Sequence, residues 1–482
     1  MKKTLVLLLL CAACTPSVLG QNILRFKISR PYAVLNFMET SKGNQHTSKT
    51  LKRYIDSHIP KQDTAFAQLV QQFGALDLDM NFAREGFPTN RRPQRSTYDL
   101  ICIAAVQANN LDEFKDRTVG ILANSDHIQL FDILKKADIY FEKIIWKPHG
   151  EKAIKQMEAF ERYQTQANQA FLKLKKLYKS DWGDDMPFTV AFVPIPKANG
   201  INHTSATPHA NSLCVDLLTE ENNYAGRMGV IMHEICHVLY DEQSRKTQHD
   251  LESYFEKSTS KYKQFANNFF DEGLATACGN GWSFQYLAGK LDTTAWYDSP
   301  YIDGFGHSLY PLVANYIEKG KSIDEAFIQE AIRLFGEKFP DTPNDFGIRL
   351  NKIALYTDMD MGKPQESTIV REALYAHFVV SGYNMSSPIS DPMSIDMIKK
   401  DSETQVFLIE SNEAENLKLL ATQLPELKTI PYNIQEDFII NYIDSANRLI
   451  IIAKAPQQKF KAVFENLKQR KFYQSDVKYV KI

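Results

Sequence analysis

The stretch from Met228 to Asp241 reads MGVIMHEICHVLYD and contains two histidines, four positions apart, that bracket a glutamate. On an α-helix, residues i and i+4 lie on one face about 6 Å apart along the axis, so the imidazoles of His233 and His237 can converge on one metal ion. Zinc binds imidazole nitrogens at about 2.0–2.1 Å, and a catalytic zinc site keeps one of its four positions for water. Glu234 is predicted to act on that water as a general base rather than to bind the metal.

These residue types suit the hydrolysis of an amide, because an amide is a poor electrophile and water is a poor nucleophile. A bound zinc ion lowers the pKa of its water toward about 7 and polarises the substrate carbonyl. Glu234 can accept the proton of the water and deliver it to the departing amine. The sequence therefore predicts one Zn²⁺ ion as cofactor and a peptide or protein as substrate.

The alternative for this segment is a core helix whose polar groups are satisfied by their neighbours. The residues around the motif are strongly apolar, and they include Val230, Ile231, Ile235, Val238 and Leu239. Burying two imidazoles and a carboxylate among them without a compensating partner would cost on the order of kilocalories per mole. This cost favours a metal site over a purely structural helix. Cys236 is predicted to lie in the core, about 100° around the helix from the second histidine.

A catalytic zinc site needs a third protein ligand. The metzincin pattern would place Gly at position 240 and His at position 243, but the chain has Tyr240 and Gln243 there, which excludes that family. The string FDEGLATA, residues 270 to 277, offers Glu272 on a later helix. Asp241, one helical turn after the second histidine, is the alternative, although it would have to bend back from the helix end.

From these two motifs onward the chain resembles the gluzincins, the thermolysin and aminopeptidase N type of metallopeptidase, in which N-E-G-[FL]-A or a similar string follows the HExxH helix. The resemblance implies a zincin-like catalytic domain with Glu272 as third ligand. Two features depart from the family pattern. His237 and Glu272 are 35 positions apart, which implies an inserted loop over residues 242–258, and Asp271 stands where the family has Asn.

Gluzincins also use a downstream Tyr or His to stabilise the oxyanion that forms on the substrate carbonyl. The segment PYIDGFGHSLY, residues 300 to 310, has Tyr301 in a Y-x-x-G string similar to that of aminopeptidase N relatives, and His307 follows. A donor of this kind contributes roughly 3 kcal/mol. Side-chain packing is the alternative role for both residues. The chain has no G-[AG]-M-E-N string to hold a free amino terminus, which favours an endopeptidase.

Two strands are predicted before the HExxH helix. The runs Phe188–Val193 and Asn211–Leu217 are rich in β-branched and aromatic residues and are bounded by turn residues. The second run is predicted to be the strand at the edge of the cleft and to bind peptide by pairing with it. His203 and His209 precede this strand and are predicted to be surface loop residues.

Helical periodicity dominates the rest of the first 375 residues. Residues 21–180 form a mainly helical N-terminal region, in which 151–179 is predicted to be one long helix. Helical patterns also cover residues 221–241, 258–278, 306–317 and 323–335. Strands followed by several helices predict an α+β fold, with a zincin-like metallopeptidase domain over residues 181–375.

The order of elements changes in the last part of the chain. Residues 400–482 alternate as β-α-β-β-α-β, which predicts a small ferredoxin-like C-terminal domain. Together with the helical N-terminal region, this makes three regions, which is consistent with a chain of 482 residues.

The beginning of the chain, MKKTLVLLLLCAACTPSVLGQ, has the pattern of a secretory signal peptide, residues 1–20, with cleavage after Gly20. The protein is therefore predicted to be exported and to be periplasmic or secreted. The alternative is a membrane-tethered lipoprotein, because Ala12, Ala13 and Cys14 resemble a lipoprotein box that would carry a lipid on Cys14. Cys11 stands where such boxes usually have Leu.

Composition excludes some partners. The formal net charge of −2 gives no electrostatic reason to expect nucleic acid as a partner. No run after the leader reaches the length of about 20 apolar residues that a transmembrane helix needs. The four remaining cysteines are predicted to be buried and free, and they are Cys102, Cys214, Cys236 and Cys278.

A second functional class stays open at this point. The chain could be a non-catalytic secreted or surface-tethered binding protein with a structural zinc site. A structural site is closed by four protein ligands and has no need of a general base, so Glu234 favours the peptidase.

Overall fold

The computed structural model describes residues 23–482, except 45–46, 89–90, 92–93, 184 and 361–362. The predicted signal peptide, its cleavage after Gly20 and the lipid attachment at Cys14 lie outside the described residues. The structure is mixed α and β and contains a four-stranded, a six-stranded and a two-stranded sheet, which confirms the α+β class in broad terms. No helix in the described part of the chain combines the length and the apolar character that crossing a bilayer requires.

The chain forms two compact units, and each is assembled from three stretches. The first unit contains the described residues up to Asp250, Ala275–Thr294 and Tyr310–Ile323. The second contains Leu251–Leu274, Ala295–Leu309 and Asp324–Ile482. The domain boundaries inferred from the sequence stay predictions.

Residues 23–180 form mostly helices, apart from an initial strand and a short hairpin. Its elements are β1 (Leu24–Ile28), α1 (Arg30–Ser41), α2 (Lys49–His58), α3 (Thr64–Gly74), β2 (Asn81–Ala83), β3 (Gln94–Ser96), α4 (Thr97–Gln107), α5 (Leu111–Arg117), α6 (Asn124–Phe141), α7 (Lys147–Glu161) and α8 (Gln164–Tyr178). The single helix predicted over residues 151–179 is wrong, because α7 ends at Glu161 and α8 begins at Gln164. Buried residues keep a helical spacing on both sides of the break, so the apolar pattern does not reveal it.

The four-stranded sheet contains β4 (Phe188–Ile195), β5 (Ala206–His209) and β6 (Ser212–Leu218) beside β1, in the order β1-β4-β6-β5. β1, β4 and β6 are parallel, and β5 runs antiparallel to β6. Most residues of β4 and β6 are buried, as is typical of parallel strands covered on both faces. The prediction that the 211–217 strand lies at the edge is wrong, because β5 occupies its outer edge and uses its backbone hydrogen bonds.

The helices that follow contain the predicted motifs. They are α9 (Tyr224–Asp241), α10 (Arg245–Glu256), α11 (Lys263–Thr276), α12 (Phe284–Ala288), α13 (Pro300–Glu318), α14 (Glu325–Lys338) and α15 (Phe346–Arg349). The expected loop over residues 242–258 is mostly helix, since α10 occupies it. α11 continues through a π-helical segment, Ala277–Ser283, directly into α12.

The C-terminal sheet has six strands in the order β12-β10-β11-β9-β7-β8. Its elements are β7 (Lys352–Thr357), α16 (Pro364–Tyr375), β8 (Gly382–Ser386), α17 (Pro392–Lys400), β9 (Thr404–Ile409), α18 (Glu413–Gln423), β10 (Phe438–Ile443), β11 (Leu449–Lys454), α19 (Phe460–Arg470) and β12 (Tyr479–Lys481). Alternate strand residues enter two separate cores, so that Val406 and Leu408 face one side and Phe407 and Ile409 the other. α16 and α19 cover the first face, and α17 and α18 cover the second.

The predicted ferredoxin-like arrangement is wrong, although the order β-α-β-β-α-β from β9 to β12 is correct. A ferredoxin-like sheet has four strands with antiparallel neighbours, whereas β9 and β11 pair in parallel here and β12 pairs with β10. The edge of β9 that the last strand of a ferredoxin-like unit would occupy is taken here by β7.

Candidate metal centre

α9 presents the motif histidines from a closely packed environment. The helix begins at Tyr224, where the Asn223 side chain accepts a hydrogen bond of 3.0 Å from the backbone N–H of Gly226. Along residues 231–240, every residue is buried except Glu234 and His237. Glu234 and His237 are therefore the residues of this stretch that solvent can reach. A reacting water and a substrate would require such access.

The two imidazoles are directed at a common point. The Nε2 atoms of His233 and His237 are 3.1 Å apart, and the ring planes are inclined by 78°. Two nitrogens bound to one tetrahedral zinc ion at 2.0–2.1 Å would be about 3.3 Å apart. The same separation permits a hydrogen bond between the rings when one Nε2 is protonated, and a metal ion would replace that proton.

Glu272 completes a group of three ligands. The ligand atoms of His233, His237 and Glu272 all lie within 4.8 Å of one another, so this group could hold a metal ion. Two imidazoles and a carboxylate form a donor set that several divalent transition metals accept. The rival ligand Asp241 is exposed and is not part of this group. The structure thus brings together the three ligands that the sequence predicts.

Glycine allows α9 to approach the π-helical segment closely. A Cβ atom on Gly279 would lie 2.3 Å from the backbone nitrogen of His233 and 2.5 Å from its Cα. A Cβ atom on Gly229 would lie 3.4 Å from the carbonyl oxygen of Gly279. Cys236 and Cys278 are fully buried, and burial raises the pKa of the Cys236 thiol, with Cys278 next to it. The backbone of the first histidine is therefore fixed by a contact that only glycine permits.

A second close approach fixes the backbone next to Glu272. A Cβ atom on Gly273 would lie 2.6 Å from Cδ1 of Phe305, so α11 and α13 are in contact there. One turn earlier, the ring of Phe269 packs against Tyr301 and Phe335, with ring centroids 6.1 Å and 5.8 Å away. Apolar packing on α11 thus sets the position of the carboxylate-bearing turn.

The two candidates for oxyanion stabilisation have other partners in the structure. The hydroxyl of Tyr301 donates to Asp345, 2.9 Å from Oδ1 and 3.0 Å from Oδ2. Burial and the neighbouring Asp345 raise the pKa of Tyr301 well above its ordinary value. The ring of His307 stacks on Trp296 with centroids 3.7 Å apart, and its Nε2 lies 3.5 Å from Oδ1 of Asp303. The oxyanion role of both residues stays a prediction.

The two residues that distinguish this chain from metzincins fix the end of α9. The Arg91 guanidinium lies 3.5 Å from the ring centroid of Tyr240. Gln243 accepts a 2.8 Å hydrogen bond from Arg91 and donates to the carbonyl oxygen of Tyr178. Both side chains are therefore engaged in packing and hydrogen bonding rather than in binding a metal.

His209 is misplaced by the sequence prediction, since it is buried at the end of β5 with 6% of its surface exposed. Its Nδ1 lies 2.7 Å from Oδ1 of Asp99. Burial alone would lower the pKa of His209, but Cys102 and Asp99 outweigh burial and raise the pKa to about 10. The short strand β5 that buries it, ATPH, has no apolar alternation by which it could be recognised. His203 is exposed, and the four cysteines are buried and free, as predicted.

Comparison of the chain with models of known protein families, with curated proteins and with solved structures found no match. The geometry defines a class of site, a group of two histidines and one glutamate suited to a single metal ion. The functional assignment depends on that group and its surroundings.

Proposed function

We propose that this protein is a zinc-dependent peptidase of the gluzincin type. In this proposal His233, His237 and Glu272 bind one zinc ion and Glu234 is the general base. The observation that carries it is the convergence of the three ligand atoms within 4.8 Å, although Glu272 belongs to a motif separate from the HExxH pair. Convergence of two separate motifs on one point is what a metal site requires and what a purely structural helix does not.

Each residue of the proposed site would have a separate role in peptide hydrolysis. Zinc, when bound, would polarise the substrate carbonyl and lower the pKa of a water molecule. Glu234 would receive the proton from that water and transfer it to the amine that leaves. Its partial exposure suits this task, because a general base must reach both water and substrate. His233 is 5% exposed and would hold its ligand nitrogen in a fixed direction.

A substrate peptide would dock on β5 rather than on β6. β6 has neighbours on both edges, whereas the sheet order leaves β5 with one free edge. β5 also contacts α9, so an extended peptide paired with Ala206–His209 would run beside the motif helix. Backbone pairing of this kind accepts many side chains, which suits an endopeptidase. The proposal includes export of the protein to the periplasm or the exterior, or tethering through Cys14.

The test is a pair of measurements on the full mature chain, its zinc content and its cleavage of a broad peptide library. We expect one zinc ion per chain and cleavage by the wild type. Glu234→Gln should keep the zinc and lose activity by about 10²- to 10⁴-fold, the usual contribution of a general base. Glu256→Gln, an exposed position on α10, is the matched control and should behave as wild type.

Three outcomes would remove the proposal. If the wild type binds no zinc when the metal is supplied, or if Glu234→Gln cleaves the library as fast as wild type, the chain is not this enzyme. Zinc binding without cleavage of any peptide would support the non-catalytic binding protein instead.

A further inference from the structure

A cavity of about 560 Å³ lies within the second compact unit, where the start of α13, the segment after α14, α15 and the ends of α16 and α19 meet. Sites for small molecules usually have volumes of roughly 300–1,000 Å³ and predominantly apolar walls. This cavity fits both criteria, because its walls are mainly aromatic and aliphatic. The wall residues that matter here are Phe339, Phe346, Phe378, Val379 and Phe472.

Three lysines line the same cavity. Lys338 is the last residue of α14, and Lys468 and Lys471 lie at the end of α19. The ammonium groups of Lys468 and Lys471 lie 5.7 Å and 4.8 Å from the ring centroids of Phe378 and Phe472. All three lysines are exposed, and none forms an ion pair within the part of the chain that the structure describes. The cavity therefore combines apolar walls with three lysines that form no ion pair among the described residues.

The nearby carboxylates do not balance this charge. Asp345 caps α15 by accepting a 2.8 Å hydrogen bond from the backbone of Gly347, and it also accepts the Tyr301 hydroxyl on both oxygens. Its negative charge is thus already shared among protein donors. Asp341 is the other carboxylate that lines the cavity, against three lysines.

Two further side chains at or near the cavity have buried nitrogen atoms without a hydrogen-bond partner among the described residues. The Nε2 atom of His377, a cavity-lining residue, is buried and has no hydrogen-bond partner among the described residues. Arg470 lies with its guanidinium 5.4 Å from the ring centroid of Phe346, and its three nitrogens are buried without an acceptor in the same described set. A buried donor without an acceptor costs roughly 1–3 kcal/mol. An anion in the cavity would accept a hydrogen bond from His377 when its Nε2 is protonated, and it would add negative charge near Arg470, which packs on the cavity-lining Phe346.

We propose that the cavity binds an organic anion with an apolar body, such as an arylalkyl carboxylate. Its carboxylate would meet the lysines and His377, and its apolar part would pack against the phenylalanines. The combination excludes two simpler ligands. A neutral apolar molecule would leave the ammonium groups without an anion, and a small inorganic anion would leave the aromatic walls in contact with water. The site uses no residue of the metal centre, so the inference is independent of the proposed peptidase activity.

The test uses 3-phenylpropionate as probe in calorimetric titration of the full mature chain. 3-Phenylpropionamide is the neutral analogue of the same shape, and inorganic phosphate is an anion without an apolar body. We expect the carboxylate to bind at least tenfold more tightly than either. Equal affinity for the amide, equal affinity for phosphate, or no binding of the carboxylate would each overturn the proposal.

Variants locate the binding in the cavity. The double variant Lys468→Gln with Lys471→Gln should weaken 3-phenylpropionate binding by about tenfold or more, because it removes two of three cationic groups. The control is Lys399→Gln with Lys400→Gln, two lysines that also lie in the last turn of a helix in the same unit but do not line the cavity. Affinity that is unchanged in the first double variant, or equally reduced in the control, would contradict the assignment.

A third variant tests the apolar part. Val379 lines the cavity with 50% of its surface exposed, so Val379→Trp can place an indole in the space without disturbing the core. We expect this variant to lose 3-phenylpropionate binding while its thermal unfolding stays that of wild type. Undiminished binding in a folded Val379→Trp protein would exclude the cavity as the site.

Discussion

Two of the buried histidines in the first compact unit, His209 and His233, lie in different surroundings. His209 faces the carboxylate of Asp99, 2.7 Å away, and is enclosed by β5 and α4. His233 and His237 face each other at 3.1 Å beside a partly exposed Glu234. His209 meets a single carboxylate, whereas His233 and His237 meet each other and the carboxylate of Glu272 within 4.8 Å, an arrangement that could hold a metal ion. The number and arrangement of the neighbouring groups, rather than burial, distinguish the two places.

The largest effect is expected on zinc affinity, when one of the three predicted ligands is removed. Glu272→Ala should lower zinc affinity by more than about 100-fold, because loss of a direct ligand exceeds the 10- to 100-fold effect of losing a supporting residue. Competition with a chromophoric chelator measures it. Asp241→Ala, the rival position, is the matched control and should keep wild-type affinity. Full retention of zinc by Glu272→Ala would move the third ligand elsewhere.

Zinc should raise the free energy of unfolding by binding to the His233, His237 and Glu272 group, and not to His209. At a free concentration 100 times the dissociation constant, a ligand specific to the folded state adds about 2.7 kcal/mol to the free energy of unfolding. Urea unfolding with and without zinc measures the increment. The stabilisation by zinc should persist in His209→Gln and vanish in Glu272→Ala. The reverse result would show that zinc binds at His209 instead.

Gly279→Ala should disturb the metal centre without changing a ligand. The added Cβ would overlap the backbone of His233, so α9 must shift, and overpacking of this kind costs roughly 1–3 kcal/mol. We expect reduced stability together with reduced zinc affinity. Gly74→Ala, a helical glycine with no heavy atom within 4 Å of its added Cβ, is the control and should be neutral or slightly stabilising. Wild-type zinc affinity in Gly279→Ala would show that this contact does not position the histidine.

The smallest effect concerns pH and the structural histidine. The pKa of His209 is about 10 in the folded protein and about 6.5 in an unfolded chain, so its contribution is complete below about pH 6.5 and is lost as pH rises through about 10. Between pH 7.5 and 8.5 the wild type should lose up to about 1.4 kcal/mol more stability than His209→Gln. Urea unfolding at the two pH values measures this difference. Equal losses in both proteins would show that His209 is neutral when buried.

Local spacing explains why the group of His233, His237 and Glu272 could be predicted from the sequence. His233, Glu234 and His237 lie on one helix, whose geometry is the same in any protein, and Glu272 belongs to a short recognisable string. The helices that hold them begin and end within a few residues of the predicted positions, and both predicted strands are present.

Long-range pairing explains most of the errors. β1 forms a strand because Leu24 and its neighbours pair with Phe188 and the residues after it. The sequence near β1 does not indicate that it pairs with this distant segment. β6 became an interior strand only because the four residues of β5 fold back beside it. The C-terminal sheet departs from the ferredoxin-like order because β7 occupies the edge of β9. Strand order depends on such partners, which the alternation of apolar residues does not encode.

The π-helical segment Ala277–Ser283 lies within one continuous helix that runs from Lys263 to Ala288. It changes the direction in which the side chains after it point around the helix axis. Each π turn closes its hydrogen bond one residue later than an α turn, so the positions beyond it are rotated by about one residue, roughly 100°. Glu272 lies before this shift, and Gly279 lies inside it. Deleting one residue of the segment would restore a regular helix, but it would turn the glycine away from His233 while leaving every ligand in the sequence. We therefore expect that a change of length alone can disrupt the candidate metal centre.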